Sequence, residues 1–302
     1  MHVLAFVNQK GGCGKTTTAV NLAGALSARG ERVLLVDLDP QAHATLGLGW
    51  AILHEPTVSD VLRDRVTPRE AVLPAPGGFD LIAATSGLAH FEELAERMIG
   101  PEQLLRRALE RSPTAWDFVL LDCPPRTDGV LAANALRAAD TAVLVIECGT
   151  FALQGALKAV DVLEEVAERQ ERPFALRAVG TLFDRREPLA HELAIALHAQ
   201  FGPLLFDTFV RTSSTLRACA AAGLPVQVLE PASPSAQDFD ALAEELQRWT
   251  RRSTPETNRV EPARGERARA WDTPYVSRSA AVLAAAAPRA RNTQHARGST
   301  EH

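Results

Sequence analysis

The stretch Lys10-Gly11-Gly12-Cys13-Gly14-Lys15-Thr16-Thr17 decides the fold. It follows an apolar run, Val3 to Val7, and opens a segment in which Ala19, Val20, Leu22, Ala23 and Leu26 recur at helical spacing before a stop at Gly30. A glycine-rich turn between a strand and a helix lets successive backbone N–H groups face one concavity, and the helix amino terminus adds its positive dipole. Lys15 supplies a full charge for terminal phosphates, and Thr16 a hydroxyl for Mg²⁺. Composition sharpens this reading, because the chain uses twenty-nine Arg and only three Lys, and two of those Lys lie in the loop. A compact ammonium is used at both places, where Arg serves elsewhere.

Outward from the loop, short apolar runs alternate with helical patterns, the signature of βα units that build a parallel sheet. After a helix over Thr16 to Arg29, the run Val33 to Val36 reads as a buried second strand ending in Asp37. Further strands are expected at Phe79 to Ala83, Phe118 to Leu121, Ala142 to Ile146, Leu176 to Phe183 and Phe206 to Val210. Each is nearly all apolar, as strands covered on both faces are. Helices are expected at Leu153 to Arg169, Leu189 to Phe201 and Gln237 to Trp249. Asp37 and Asp122 each end a strand run, so in a parallel sheet both carboxylates emerge at its carboxyl edge, beside the loop.

The 302 residues, 46% hydrophobic and 23% charged, are ample for a buried core. No window approaches the eighteen apolar residues of a membrane-spanning helix, and the amino terminus lacks a basic region and cleavage site, so the reading is cytoplasmic. Cys13, Cys123, Cys148 and Cys219 are widely spaced with no C-x-x-C, which fits isolated reduced thiols rather than a metal or disulfide framework. His191 and His198 could share a helix face but lack a third ligand nearby. Charge locates a boundary: residues 251–302 carry net +5 and the remainder net −10. The expected organisation is one domain over 1–250 and a basic, disordered tail over 251–302, whose one apolar patch is Ala280 to Ala287.

The strict G-x-x-x-x-G-K-[ST] pattern is not met, since Gln9 stands where its first Gly would be. Lys10 at the start marks a deviant phosphate loop, and here the chain resembles the ParA family of partition ATPases within the ParA/MinD group. The family pattern K-G-G-x-G-K-T-T is matched at every position of 10–17. Leu35 to Gln41 resembles the second-strand motif D-x-D-P-Q, and Leu120 to Pro125 the D-x-P-P end of the Walker B strand. The likeness continues through Phe151 to Gly155, Phe183 to Arg186, Val210 to Ser213 and Gly223 to Val226. Departures are Ala42-His43 where Gly-Asn is commoner, Arg126 where Ser is usual, and Ala218-Cys219-Ala220 where a Glu-Ala pair is frequent.

The resemblance implies a P-loop NTPase with a mostly parallel twisted sheet and helices on both faces, using ATP and Mg²⁺. It implies that the loop residues Lys10, Gly11, Gly12, Cys13, Gly14, Lys15, Thr16 and Thr17 bind the nucleotide, with Thr16, Asp37 and Asp122 around the metal. Lys10, Lys15 and Asp39 are the catalytic residues, Asp39 orienting the attacking water and Lys10 reaching across a homodimer to the partner's nucleotide. Family members bind DNA non-specifically as the ATP dimer, associate with the nucleoid and are stimulated by a ParB-like or adaptor protein. With an acidic body, DNA contact requires a local cluster, for which Arg185, Arg186, Arg211 and Arg217 are the candidates, with the basic tail.

Three other readings share parts of this pattern. A membrane-cycling relative of the MinD kind would carry a carboxy-terminal amphipathic helix, and 251–302 show no such face. A dinucleotide-binding oxidoreductase would use Asp37 but needs G-x-G-x-x-G, whose last Gly is here Thr17. An iron–sulfur reductase needs two placed Cys, whereas Cys123 reads as a small hydrophobe in a turn.

Overall fold

β1 (His2–Val7) lies inside an eight-stranded sheet, and Val3 to Val7 are all buried because helices cover both of its faces. The structure, a computed structural model, describes residues 1–51, 56–112, 115–126, 128–149 and 151–252. The other strands are β2 (Val33–Asp37), β3 (Val72–Ala75), β4 (Phe79–Ile82), β5 (Phe118–Asp122), β6 (Thr141–Glu147), β7 (Ala175–Phe183) and β8 (Leu205–Arg211). Their order is β3-β4-β2-β5-β1-β6-β7-β8, parallel throughout except for the edge pair β3 and β4. The mostly parallel α/β sheet expected from the sequence is therefore present. β3 is the strand that the apolar pattern does not announce: it holds Pro74, which cannot donate to a ladder and is tolerated because β3 is an edge.

Along the chain the helices are α1 (Lys15–Ala28), α2 (His43–Gly47), α3 (Val58–Leu62), α4 (Gly87–Ala95), α5 (Leu104–Glu110), α6 (Val130–Ala138), α7 (Ala152–Glu168), α8 (Pro188–Phe201), α9 (Ser214–Ala222), α10 (Val226–Leu229) and α11 (Pro234–Arg252). Side-chain alternation along the strands feeds two cores. Leu4 and Phe6 pack with Leu22 and Leu26 of α1 and Phe239, Leu242 and Leu246 of α11. Ala5 and Val7 share the opposite core with Leu88 and Phe91 of α4, Leu131 of α6, Val160 of α7 and Leu197 of α8.

The last helix is longer at both ends than its apolar repeat, because Ser233 Oγ accepts from the Ala236 N–H at its start and its final turn is polar. The expectation for the tail and its Ala280 to Ala287 patch lies, from residue 253 onward, outside the described residues.

Candidate functional site

Between β1 and α1 the chain turns through two left-handed glycines, Gly12 at φ 75° and Gly14 at φ 92°. Residues with a Cβ avoid that region, so Gly is needed at both to bring the chain back over its own strand. Gly14 caps α1 with no side-chain hydrogen bond, and the first turn of α1 carries no acid. The leading N–H groups of the helix are thus left for an external anion. Lys15 is buried, and its ammonium donates to the Lys10 carbonyl at 3.4 Å, which keeps it folded over the loop. Lys10 does the opposite: its side chain is 61% exposed and its ammonium lies 2.5 Å from the Glu147 carboxylate at the end of β6. Two lysines five residues apart therefore serve different places.

The carboxylates follow from strand parity. Leu35 and Leu120 face the α1 side of the sheet, so Asp37 and Asp122, two residues on, face it too. They are register partners in β2 and β5, which sets their backbones about 4.8 Å apart. Their surroundings differ sharply. Asp37 accepts from the Asp39 N–H at 3.1 Å, the Thr45 N–H at 2.9 Å and the Thr45 hydroxyl at 2.7 Å, and that hydroxyl in turn accepts from the Ala84 N–H. Asp122 is wholly buried, and neither of its oxygens has a partner in good hydrogen-bond geometry, although the nearby Thr16 hydroxyl favours its charge.

Burial pushes the Asp37 carboxyl up to about 6, against the pull of those donors. Burial and then the Asp37 charge push Asp122 well above the usual carboxylate range, offset only in part by the Thr16 hydroxyl and the Lys15 ammonium. An orphaned buried carboxylate next to a threonine hydroxyl fits a hard cation with oxygen ligands. Among the described residues no group of three His, Cys, Asp or Glu side chains is assembled as a closed metal set. Magnesium suits that arrangement, since it keeps water and phosphate oxygens for most of its ligands.

Asp39 is buried just beyond β2, and one carboxylate oxygen accepts from the Gln41 N–H at 2.9 Å, the geometry of an Asx turn. Its carbonyl accepts from the Ala42 N–H. Ala42 has φ 52°, so the departure noted at Ala42-His43 puts a side chain where the backbone is left-handed. All four cysteines are buried free thiols. Cys123 directs its thiol at the Leu121 carbonyl and packs as the small hydrophobe expected.

The four arginines read from the sequence do not share one situation. Arg185 and Arg217 are exposed, and no ion pair among the described residues holds either. Arg186 is exposed and forks onto Asp184 at 2.9 and 2.6 Å. Arg211 turns inward, its guanidinium bidentate on Asp238 of α11 at 2.6 Å through both contacts. Three residues close the site that the motifs do not reveal. Thr45 satisfies Asp37, Glu147 holds Lys10, and Thr181 of β7 donates its hydroxyl to the Cys13 carbonyl at 2.7 Å.

The chain is similar to known proteins along most of its length. Residues 1–176 match the family model described as an AAA domain. The chromosome-partitioning ATPase Soj of Thermus thermophilus is 38% identical over 244 residues, 80% of this chain and 94% of that protein. The chromosome partitioning protein ParA of Caulobacter vibrioides is 35% identical over 251 residues, 82% and 94% of the two chains. Among solved structures, the cobyrinic acid a,c-diamide synthase of Mycobacterium smegmatis with bound ATP analogue and magnesium aligns at a TM-score of 0.71 and 30% identity, covering 84% of this chain and 97% of that one. With a family model over more than half of its length and partition ATPases more than 30% identical over most of it, this chain is a member of the ParA family of partition ATPases.

Proposed function

We propose that the chain is a Mg²⁺-dependent ATP hydrolase that closes into a homodimer around two ATP molecules, binds DNA without sequence preference in that state, and lets go on hydrolysis. The observation that carries this reading is the division between the two loop lysines. Lys15 fills its own cradle, whereas Lys10 points out of it with an exposed ammonium. A cation that its own loop does not use, and that only an exposed ion pair with Glu147 retains, can be given up to a nucleotide held by a second copy.

In this reading Lys15, with the backbone from Gly11 to Thr17, holds the phosphates. Thr16 and Asp122, with Asp37 alongside, hold Mg²⁺, which when bound neutralises charge on the phosphate oxygens. Its use is supported by the ATP analogue and magnesium in the mycobacterial synthase. Asp39, fixed by its Asx turn, orients the attacking water. DNA contact falls to Arg185, Arg217 and Arg186, whose side chain stays 88% exposed although it pairs with Asp184, since Arg211 turns inward onto Asp238 and is only 22% exposed. A ParB-like or adaptor protein accelerates turnover, and the ATP form resides on the nucleoid.

The test is ATP turnover and oligomeric state, with and without nonspecific DNA, for four proteins. Lys15→Ala is expected to lose nucleotide binding, and Lys10→Ala to bind nucleotide but fail to pair. Asp39→Ala is expected to pair and lose turnover by about a hundredfold or more. A Lys10→Ala protein that dimerises with ATP like wild type sinks the shared-site reading.

A further inference from the structure

Thr181 lies in β7, 168 residues from the phosphate loop in sequence, and is buried. Its hydroxyl donates to the Cys13 carbonyl at 2.7 Å, with the Ile146 carbonyl a longer alternative acceptor at 3.2 Å. The strand carrying it is held at this point, because the Thr181 carbonyl accepts from the Cys148 N–H at 2.9 Å. A trans peptide unit points its C=O and N–H in opposite directions. The bond that draws the Cys13 carbonyl toward β7 therefore aims the next N–H, that of Gly14, away from β7.

We infer that Thr181 is a positioning residue for phosphate binding: it fixes the peptide plane between Cys13 and Gly14 so that the Gly14 N–H faces the nucleotide. The inference rests on the phosphate loop and not on dimerisation or DNA binding. Cys13 is wholly buried, so without the hydroxyl its carbonyl would lose an acceptor's partner in a dry place. Gly14, already at φ 92° and without a Cβ, offers little resistance to a flip of that plane. A flip would replace a donor with a carbonyl oxygen facing the phosphates. Gly14 itself lies close to β7, since a Cβ built there would stand 3.6 Å from the Thr181 hydroxyl oxygen.

Thr181→Val keeps the shape and removes the hydroxyl, while Thr181→Ser keeps the hydroxyl. Affinity for a fluorescent ADP with Mg²⁺ is measured on both and on wild type, well below their unfolding temperatures. Amide spectra of the nucleotide-free proteins are recorded in parallel. Thr181→Val should bind roughly three- to tenfold more weakly and shift the Gly14 amide resonance before nucleotide is added. Thr181→Ser should match wild type within about twofold on the same grounds and leave that resonance in place. Wild-type affinity in Thr181→Val overturns the inference, and so does equal weakening in both variants, which would mark volume and not the hydroxyl as the cause. A wild-type chain that binds no ADP overturns the phosphate-loop reading, and this inference with it.

Discussion

The Lys10 ammonium lies 2.5 Å from the Glu147 carboxylate, so a lone protomer holds in cis the cation that the dimer reading sends across to its partner. Pairing must break this contact. Both groups reach solvent, so the restraint is small, within the ~0.2–1 kcal/mol of exposed ion pairs. Glu147→Gln should therefore favour dimers with a nonhydrolysable ATP analogue by about two- to fivefold per site, read by sedimentation. An unchanged dimerisation constant would show that the contact does not restrain pairing.

Asp122 makes the second prediction. A buried carboxylate without partners costs stability when no cation is bound, so Asp122→Asn should stabilise the metal-free protein by roughly 1–2 kcal/mol at neutral pH. Wild type gains stability from Mg²⁺ and ADP by mass action, and the variant should lose most of that gain. Denaturant unfolding with and without the pair measures both effects, and an equal ligand-induced gain in the two proteins removes Asp122 from the cation site.

Arg211 and Arg185 should part company. Arg211→Ala removes the guanidinium from Asp238, leaves that carboxylate only the backbone N–H of residue 211, and is expected to cost about 1–3 kcal/mol of stability. Arg185→Ala and Arg217→Ala should leave stability within about 0.5 kcal/mol and weaken DNA retention, lowering its salt slope by about one each. Retention indifferent to salt in wild type removes the DNA-binding proposal.

A pH effect is expected at the far edge of the sheet. His2 sits edge-on to Phe118 and Trp249, with Nε2 2.9 Å from the Thr141 hydroxyl. Burial lowers its pKa from the ordinary value near 6.5; Asp140 pulls the other way, while the amino terminus and Arg172 add to the lowering. The fold thus prefers the neutral ring. Its contribution is complete above about pH 6.5 and is lost as pH falls through the lower folded-state value. Asp37 and Asp122, whose carboxyls are raised, contribute the opposite slope over this range, so the readout is a difference: between pH 7 and 5 the denaturant midpoint of wild type should fall relative to that of His2→Gln. A profile of the same steepness in His2→Gln rules the histidine out.

How far the sequence could be read depends on how local each feature is. The loop and the strand-end Asp37 and Asp122 are legible because a few adjacent residues fix both position and chemistry. Thr181 and Glu147 are not, since each reaches the loop only after the sheet has set β6 beside β1 and β7 beside β6. Arg211 reads as a surface cation until α11 brings Asp238 against it, and nothing near residue 211 announces that. The edge strand β3 is hidden by Pro74, which argues against a strand until its place at the border is known. At Ala42 the sequence shows an unusual residue, and the φ of 52° shows what makes it so: the position asks for a glycine.

Glu147 and Thr181 are register partners on β6 and β7. A single rung of the ladder thus carries both restraints on the loop, one through an ion pair and one through a hydroxyl. A one-residue slip of β7 against β6 would turn the Thr181 side chain to the far side of the sheet and part it from Glu147. On the proposed reading the alignment of two strands remote in sequence belongs to the hold on the phosphates, and a substitution deep in β7 would disable the site without touching any residue of the motif.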